Sequence, residues 1–248
     1  MMKIKQTMVN ITYPMVMDCR KKFIDSENAL SEFFQPANIL SVPDQFNADI
    51  PRMIIATKNN HSMLNISLIG ATLTTNFDGD FVDNWKHCEA YLEARMNAVY
   101  NLVDRMTNKD EVYTGLITRL EYTPTDDSAV GILKKIMLRQ EGKKLGNPYD
   151  ISCKLTYIYK DQYFINVSLE NVREYKAEKI GGSKALLTET GNSVIGITLD
   201  INDRYLANSM KEYRTSKDTF SNLLNITSEF VTGRLDRLVT TGELTNGV

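Results

Sequence analysis

Along this chain, apolar residues alternate with polar ones in a series of short stretches and recur at helical spacing in two long ones. Val9, Ile11, Tyr13, Met15 and Met17 alternate, the period of a half-buried strand. Pro14 cannot donate to a ladder, which places that segment at a sheet edge or a bulge. Residues 53–57 and 64–68, parted by Lys58-Asn59-Asn60-His61, read as a β-hairpin continuing to Thr75. Residues 153–159 and 165–169, parted by Lys160-Asp161-Gln162, repeat that pattern far downstream, and Leu64–Leu68 aligns with Ile165–Leu169 at a constant offset. Residues 112–122 and 194–201 supply further strands.

Trp85, Cys88, Leu92, Met96, Val99, Val103 and Met106 follow one another at steps of three and four, so one face of a long helix carries all of them. Asp83 is its expected N-cap. A second long helix is expected over 216–240, with Phe220, Leu223, Leu224, Phe230, Val231, Leu235 and Leu238 on its buried side. Shorter helices are expected from Ser26 to Pro36 and over 128–139. Residues 36–51, with three prolines, and 178–192, with three glycines, read as loops. The predicted fold class is α+β: two pseudo-repeated halves, each mostly an antiparallel hairpin packed by a long amphipathic helix. The halves are 1–140 and 141–248, sharing one core, with the glycine- and lysine-bearing stretch 141–148 as their boundary.

Composition narrows the function classes. The chain has 248 residues, 42% hydrophobic and 24% charged, which are globular values. A net charge of -2 argues against a general polyanion binder, whose affinity comes from many lysine and arginine contacts to phosphate. The three cysteines, Cys19, Cys88 and Cys153, are odd in number and far apart, so neither a disulfide framework nor a zinc site is expected. The N-terminal stretch lacks the apolar run of a signal peptide, and no segment approaches the roughly 20 apolar residues of a membrane span. Cytoplasmic residence is the expectation.

Candidate chemistry is sparse. His61 falls in a predicted turn. His87 adjoins Cys88, but neighbouring helical residues point apart, which defeats a nucleophile–base pair. Asp126-Asp127 and the Asp200, Asn202, Asp203 group read as helix-cap and turn residues, so no metal site is expected. Gly181-Gly182-Ser183-Lys184 lacks the spacing of a phosphate-binding P-loop. Lys134, Lys135, Arg139, Lys143 and Lys144, with Tyr149 nearby, concentrate positive charge.

Three features carry a family resemblance: the Tyr13-Pro14 pair, the long helix opened by Trp85, and the strand over 112–122. In these the chain resembles a sporadically distributed bacterial family of α+β proteins. The family's strand reads Gly-Leu-Arg-Tyr-x-Asn; here Arg119 and Tyr122 stand at another spacing and the Asn is missing. The resemblance implies the fold class and no particular reaction.

The expected function is that of a non-enzymatic interaction or regulatory protein, partnered by another protein or by a second copy of itself, with no cofactor and no membrane. The alternative is a small-ligand or nucleotide-binding protein with a cleft between the halves near Arg119, Arg204, Gly181, Gly182 and Lys184. A third reading is nucleic-acid binding through the 134–144 basic cluster.

Overall fold

Among the described residues the alternating stretches become strands of a single antiparallel sheet of nine, ordered β2-β3-β4-β5-β1-β6-β9-β8-β7. In this computed structural model, which describes residues 1–125, 127–137, 148–179 and 185–244, the strands are β1 (Met2–Thr12), β2 (Asn38–Ile39), β3 (Met53–Ala56), β4 (Ser62–Ile66) and β5 (Gly70–Asn76), then β6 (Tyr113–Tyr122), β7 (Ser152–Tyr159), β8 (Tyr163–Lys179) and β9 (Ala185–Asn202). The helices are α1 (Cys19–Ser26), α2 (Trp85–Thr107), α3 (Ala129–Met137), α4 (Arg204–Ser209), α5 (Lys217–Glu229) and α6 (Leu235–Thr241). No described helix is long and apolar enough to cross a membrane.

Period-two patterning makes the sheet two-faced. Val9, Ile11, Leu64, Leu73, Leu116, Ile165, Leu199 and Ile201 point to one side and are fully buried there. On that side all seven apolar residues of the expected α2 face are buried, and Tyr100 of α2 packs against Phe220 of α5 with ring centroids 6.1 Å apart. Asn84, held extended, caps α2 by accepting from the His87 N–H, so the cap is one residue later than Asp83. α2 closes at Asn108, whose left-handed backbone suits a short polar side chain. The expected final helix runs as α5 and α6, joined through a π-turn over Phe230–Arg234. Ser216 supplies the α5 cap, accepting from the Thr219 N–H.

Several expectations are corrected. β1 is a central strand between β5 and β6, and it ends at Thr12, so Pro14 is neither at an edge nor inside a ladder. The alternation continues past Thr12 because Tyr13 and Val16 stay buried as the chain turns, with the Val16 N–H donating to the Leu68 carbonyl. The first short helix lies earlier than expected, over Cys19–Ser26, with a 3₁₀ turn after it. Described residues of the expected 178–192 loop belong instead to β8 and β9. The stretch 141–147, the expected boundary, lies outside the described residues. β6 and β9 pair over eight positions, so strands from both ends of the chain share one sheet.

Candidate ligand-binding cleft

The opposite face of the sheet carries the polar half of each alternating pattern, and the long helices leave it uncovered. Pairing lays residues distant in sequence side by side there. Asn202 is opposite Gly115, Gly115 opposite Asn10, Asn10 opposite Thr72, and Thr72 opposite Asn65. The adjoining row sets Asn166, Asp200, Ile117, Met8 and Thr74 beside one another. All of these except Asn166, which lies beside Asp200, form the floor of a cleft of about 560 Å³. One wall is the β4–β5 turn with Asp49 and Pro51 of the preceding loop, and Tyr113 and Arg204 close the other end. Gly115 keeps the floor low: a Cβ there would sit 3.3 Å from the Asn202 Cβ.

Hydrogen bonds fix this floor. The Asn166 amide donates to Asp200 Oδ2 at 3.1 Å and the Asn202 amide to Oδ1 at 3.0 Å, so both carboxylate oxygens are engaged. Thr72 donates to Asn10 Oδ1 at 2.8 Å. The Arg204 guanidinium lies 4.4 Å from the Tyr113 ring centroid and donates to its hydroxyl at 2.6 Å. Phe164 meets Tyr205 edge-on at 5.4 Å, seating the short α4 at the rim of this face. The cleft therefore offers amides, hydroxyls, one guanidinium, the Asp49 and Asp200 carboxylates and an aromatic ring.

Two arginines, Arg52 buried and Arg20 partly exposed, hold the wall. Arg52, fully buried, donates to the Ile50 carbonyl at 2.5 Å and to the Pro43 carbonyl at 3.3 Å. Its Nε lies 3.6 Å from Asp44, an ion pair longer than a hydrogen bond. Arg20 pairs with the same carboxylate at 2.5 Å and donates to the carbonyls of Leu40 and Val42. The Arg20 hydrogen bond keeps the Asp44 carboxyl below its usual range. Replacing Arg52 with Met should therefore loosen residues 40–51 while the sheet persists, at a cost of about 2–4 kcal/mol for the orphaned carbonyls and charge. Hydrogen exchange checks this: faster exchange confined to that loop is expected, and unchanged exchange would remove the arginines' role.

A second polar network lies under the sheet. Asp203 is fully buried, accepting from the Thr114 N–H at 2.7 Å and from the Tyr213 hydroxyl at 2.6 Å. Tyr100 and Thr114 share a 2.6 Å hydrogen bond. Glu111 is buried and accepts from the Thr107 hydroxyl. Burial raises the Asp203 and Glu111 carboxyls above their ordinary values.

The sequence-predicted residues separate in space. Arg204 lines the cleft. Arg119 is on the same face of β6 but farther along it, in the row of Gln6 and Thr198. Gly181, Gly182 and Lys184 lie outside the described residues, as do Arg139, Lys143 and Lys144. Lys135 is on α3 and pairs with Asp127 at 2.7 Å; Lys134 is beside it on the same helix. His61 packs edge-on against Phe81 and Tyr91, and His87 is exposed on α2. Burial pushes the Cys88 thiol up to about 12 and the Cys19 thiol up to about 11, away from thiolate chemistry. Among the described residues no group of acidic, cysteine and histidine side chains is arranged to hold a metal ion. Sequence reasoning missed Asn10, Asn65, Thr72, Tyr113 and Gly115 as cleft residues and read Asn202 as a turn residue. Their only signal was the polar half of a strand alternation.

Neither a family model nor a curated protein matches the chain. Solved structures similar to it include the di-domain ARO/CYC StfQ from the steffimycin biosynthetic pathway, at 13% identity, over 94% of this chain and 96% of that one, with a TM-score of 0.21. That superposition is too loose to assign a shared fold.

Proposed function

We propose that this is a non-enzymatic binding protein whose uncovered sheet face takes a small polar ligand in the cleft between Arg204 and the 40–51 loop. One observation carries the reading: side chains from β1, β4, β5, β6 and β9 converge on a single trough of about 560 Å³, within the size range of small-molecule sites. Two of the charged groups there are committed to their neighbours, Asp200 to two amides and Arg204 to Tyr113, which suits recognition better than proton transfer. Amides, hydroxyls and an aromatic ring match a hydroxyl-rich molecule of nucleoside or sugar size. Thermal-shift measurements with a panel of nucleosides, nucleotides and monosaccharides test it. A member of the panel is expected to raise the melting temperature of the wild type, and Thr72→Tyr, which fills the trough, is expected to erase that shift; Arg204→Ala should weaken it. A shift that survives Thr72→Tyr, or none across the panel at millimolar concentration, contradicts the proposal.

We also infer that the chain is an internal duplication, with the join in the 108–112 loop. β1-α1-β3-β4-β5-α2 orders its main strands β3-β4-β5-β1, and β6-α3-β7-β8-β9-α5 orders its strands β7-β8-β9-β6. The sequence offset that matches Leu64 to Ile165 supports this through the ladders. Leu64 is opposite Leu73 and Ile165 opposite Ile201. Leu73 is opposite Val9, Ile201 is opposite Leu116, and Val9 and Leu116 are opposite one another. A two-fold axis between Val9 and Leu116 accounts for all of these pairs. An experimental structure in which a half-turn about that axis fails to lay β4 on β8 contradicts the duplication.

A further inference from the structure

The two edges of the sheet are unequal. β2 is two residues long, a blunted edge of the kind that limits pairing with other chains. β7 is eight residues long, carries no proline and only one charge, Lys154, and its outer backbone pairs with no other strand among the described residues. It also exposes large side chains, Tyr157 at 41% and Ile158 at 54%. β3, which stands at the matching end of the other half, has β2 paired to it; among the described residues β7 has no such cover.

We propose that β7 is the interface to a second copy of this chain, pairing antiparallel with its own counterpart across a two-fold axis normal to the sheet. Such an axis keeps the helix sides of both sheets together, so residues of one face must meet residues of the same face, and the register must centre on a residue rather than between two. Centring on Leu155 sets Leu155 against itself, Cys153 against Tyr157 and Ile151 against Tyr159 on the helix side. Ser152 then meets Ile158, and Lys154 meets Thr156, on the open side. At each end, just beyond the strand, Lys160 comes opposite Asp150 of the second copy, so opposite charges meet twice and like charges never do. Lys160 and Asp161 both have positive φ in the three-residue connection, Lys160 to Gln162, that links β7 to β8. Pairing would join two nine-stranded sheets and leave the cleft open, so the interface is independent of the ligand-binding proposal.

The experiment is sedimentation or light scattering across a concentration series, with charge variants at the exposed Thr156. Thr156→Lys places a lysine opposite Lys154 of the second copy, twice by symmetry, and is expected to weaken the dimer by roughly tenfold. Thr156→Glu places a carboxylate there instead and is expected to hold or tighten it. With Cys153 changed to Ser, Leu155→Cys should give a disulfide-linked dimer on mild oxidation and Thr156→Cys should not. Directly opposite Cβ atoms in a ladder lie about 4.5–5.5 Å apart, within a small adjustment of disulfide reach. A wild type that is monomeric at about 100 µM, where any dimer of micromolar Kd is populated, overturns the proposal. So does an equal response to Lys and Glu at position 156.

Discussion

Changing Val99 to Asp should unfold the protein or lower its stability by about 4–5 kcal/mol, since a carboxylate would be forced into an apolar layer with no partner. Val99 is 1% exposed, and Leu92, Met96, Val103 and Met106 on the same side of α2 are equally buried. No water reaches the site, and the helix cannot rotate without exposing those neighbours. Against a typical total of about 5–15 kcal/mol, a loss of that size is decisive. Circular dichroism checks it: the melting transition should fall steeply or vanish. By contrast Glu93, exposed on the outer side of the same helix, should tolerate alanine within about 0.5 kcal/mol. An unchanged melt for Val99→Asp would mean that α2 does not pack as described.

The buried carboxylate Asp203 carries the second large effect. Removing it with Asp203→Ala leaves the Thr114 N–H and the Tyr213 hydroxyl without their acceptor, at a cost of about 2–4 kcal/mol. Its pH dependence has a definite sign. Burial raises the folded-state pKa above the ordinary 3.8, and that of Glu111 above 4.5, so the folded state binds protons that the unfolded state has released. This contribution to stability is fully present below the unfolded values and is lost as pH rises through the raised folded ones. The wild type should therefore gain from these two groups as pH is lowered from 7 towards 4.5. Asp44 acts in a different window: its pKa is lowered, so its contribution is lost only as pH falls below its ordinary 3.8. Asp203→Asn keeps an acceptor and a similar shape, and should be milder than alanine with a flatter pH dependence. Denaturant unfolding of the three proteins between pH 4.5 and 7 is the measurement. Equal stability of wild type and Asp203→Ala across that range would show that the network contributes nothing.

Local periodicity made the helices and strands legible, and long-range pairing hid the rest. The Trp85 to Met106 spacing placed α2 within a residue, because one burial stripe along a long helix is written into its sequence. β1 was misplaced at an edge because Tyr13 and Val16 remain buried after the strand ends at Thr12, so the pattern outran the ladder. Asn10, Asn65, Thr72, Gly115 and Asn202 looked like ordinary solvent-side residues in separate strands. Only the order β4-β5-β1-β6-β9 brings them together, and nothing local encodes that order. Arg52 and Glu111 escape notice, and Asp203 reads as a turn residue, for the opposite reason: charged residues read as surface, and their burial depends on partners contributed by distant segments.

The most direct test of the ligand-binding face is nuclear magnetic resonance of the asparagine side-chain amides during titration with the nucleosides, nucleotides and sugars of the same panel. The amides of Asn10, Asn65 and Asn202 should shift together with one saturating curve, while that of Asn171, outside the cleft, stays still. Saturable binding that moves Asn171 and leaves the three cleft amides unchanged would place the ligand elsewhere and contradict the account.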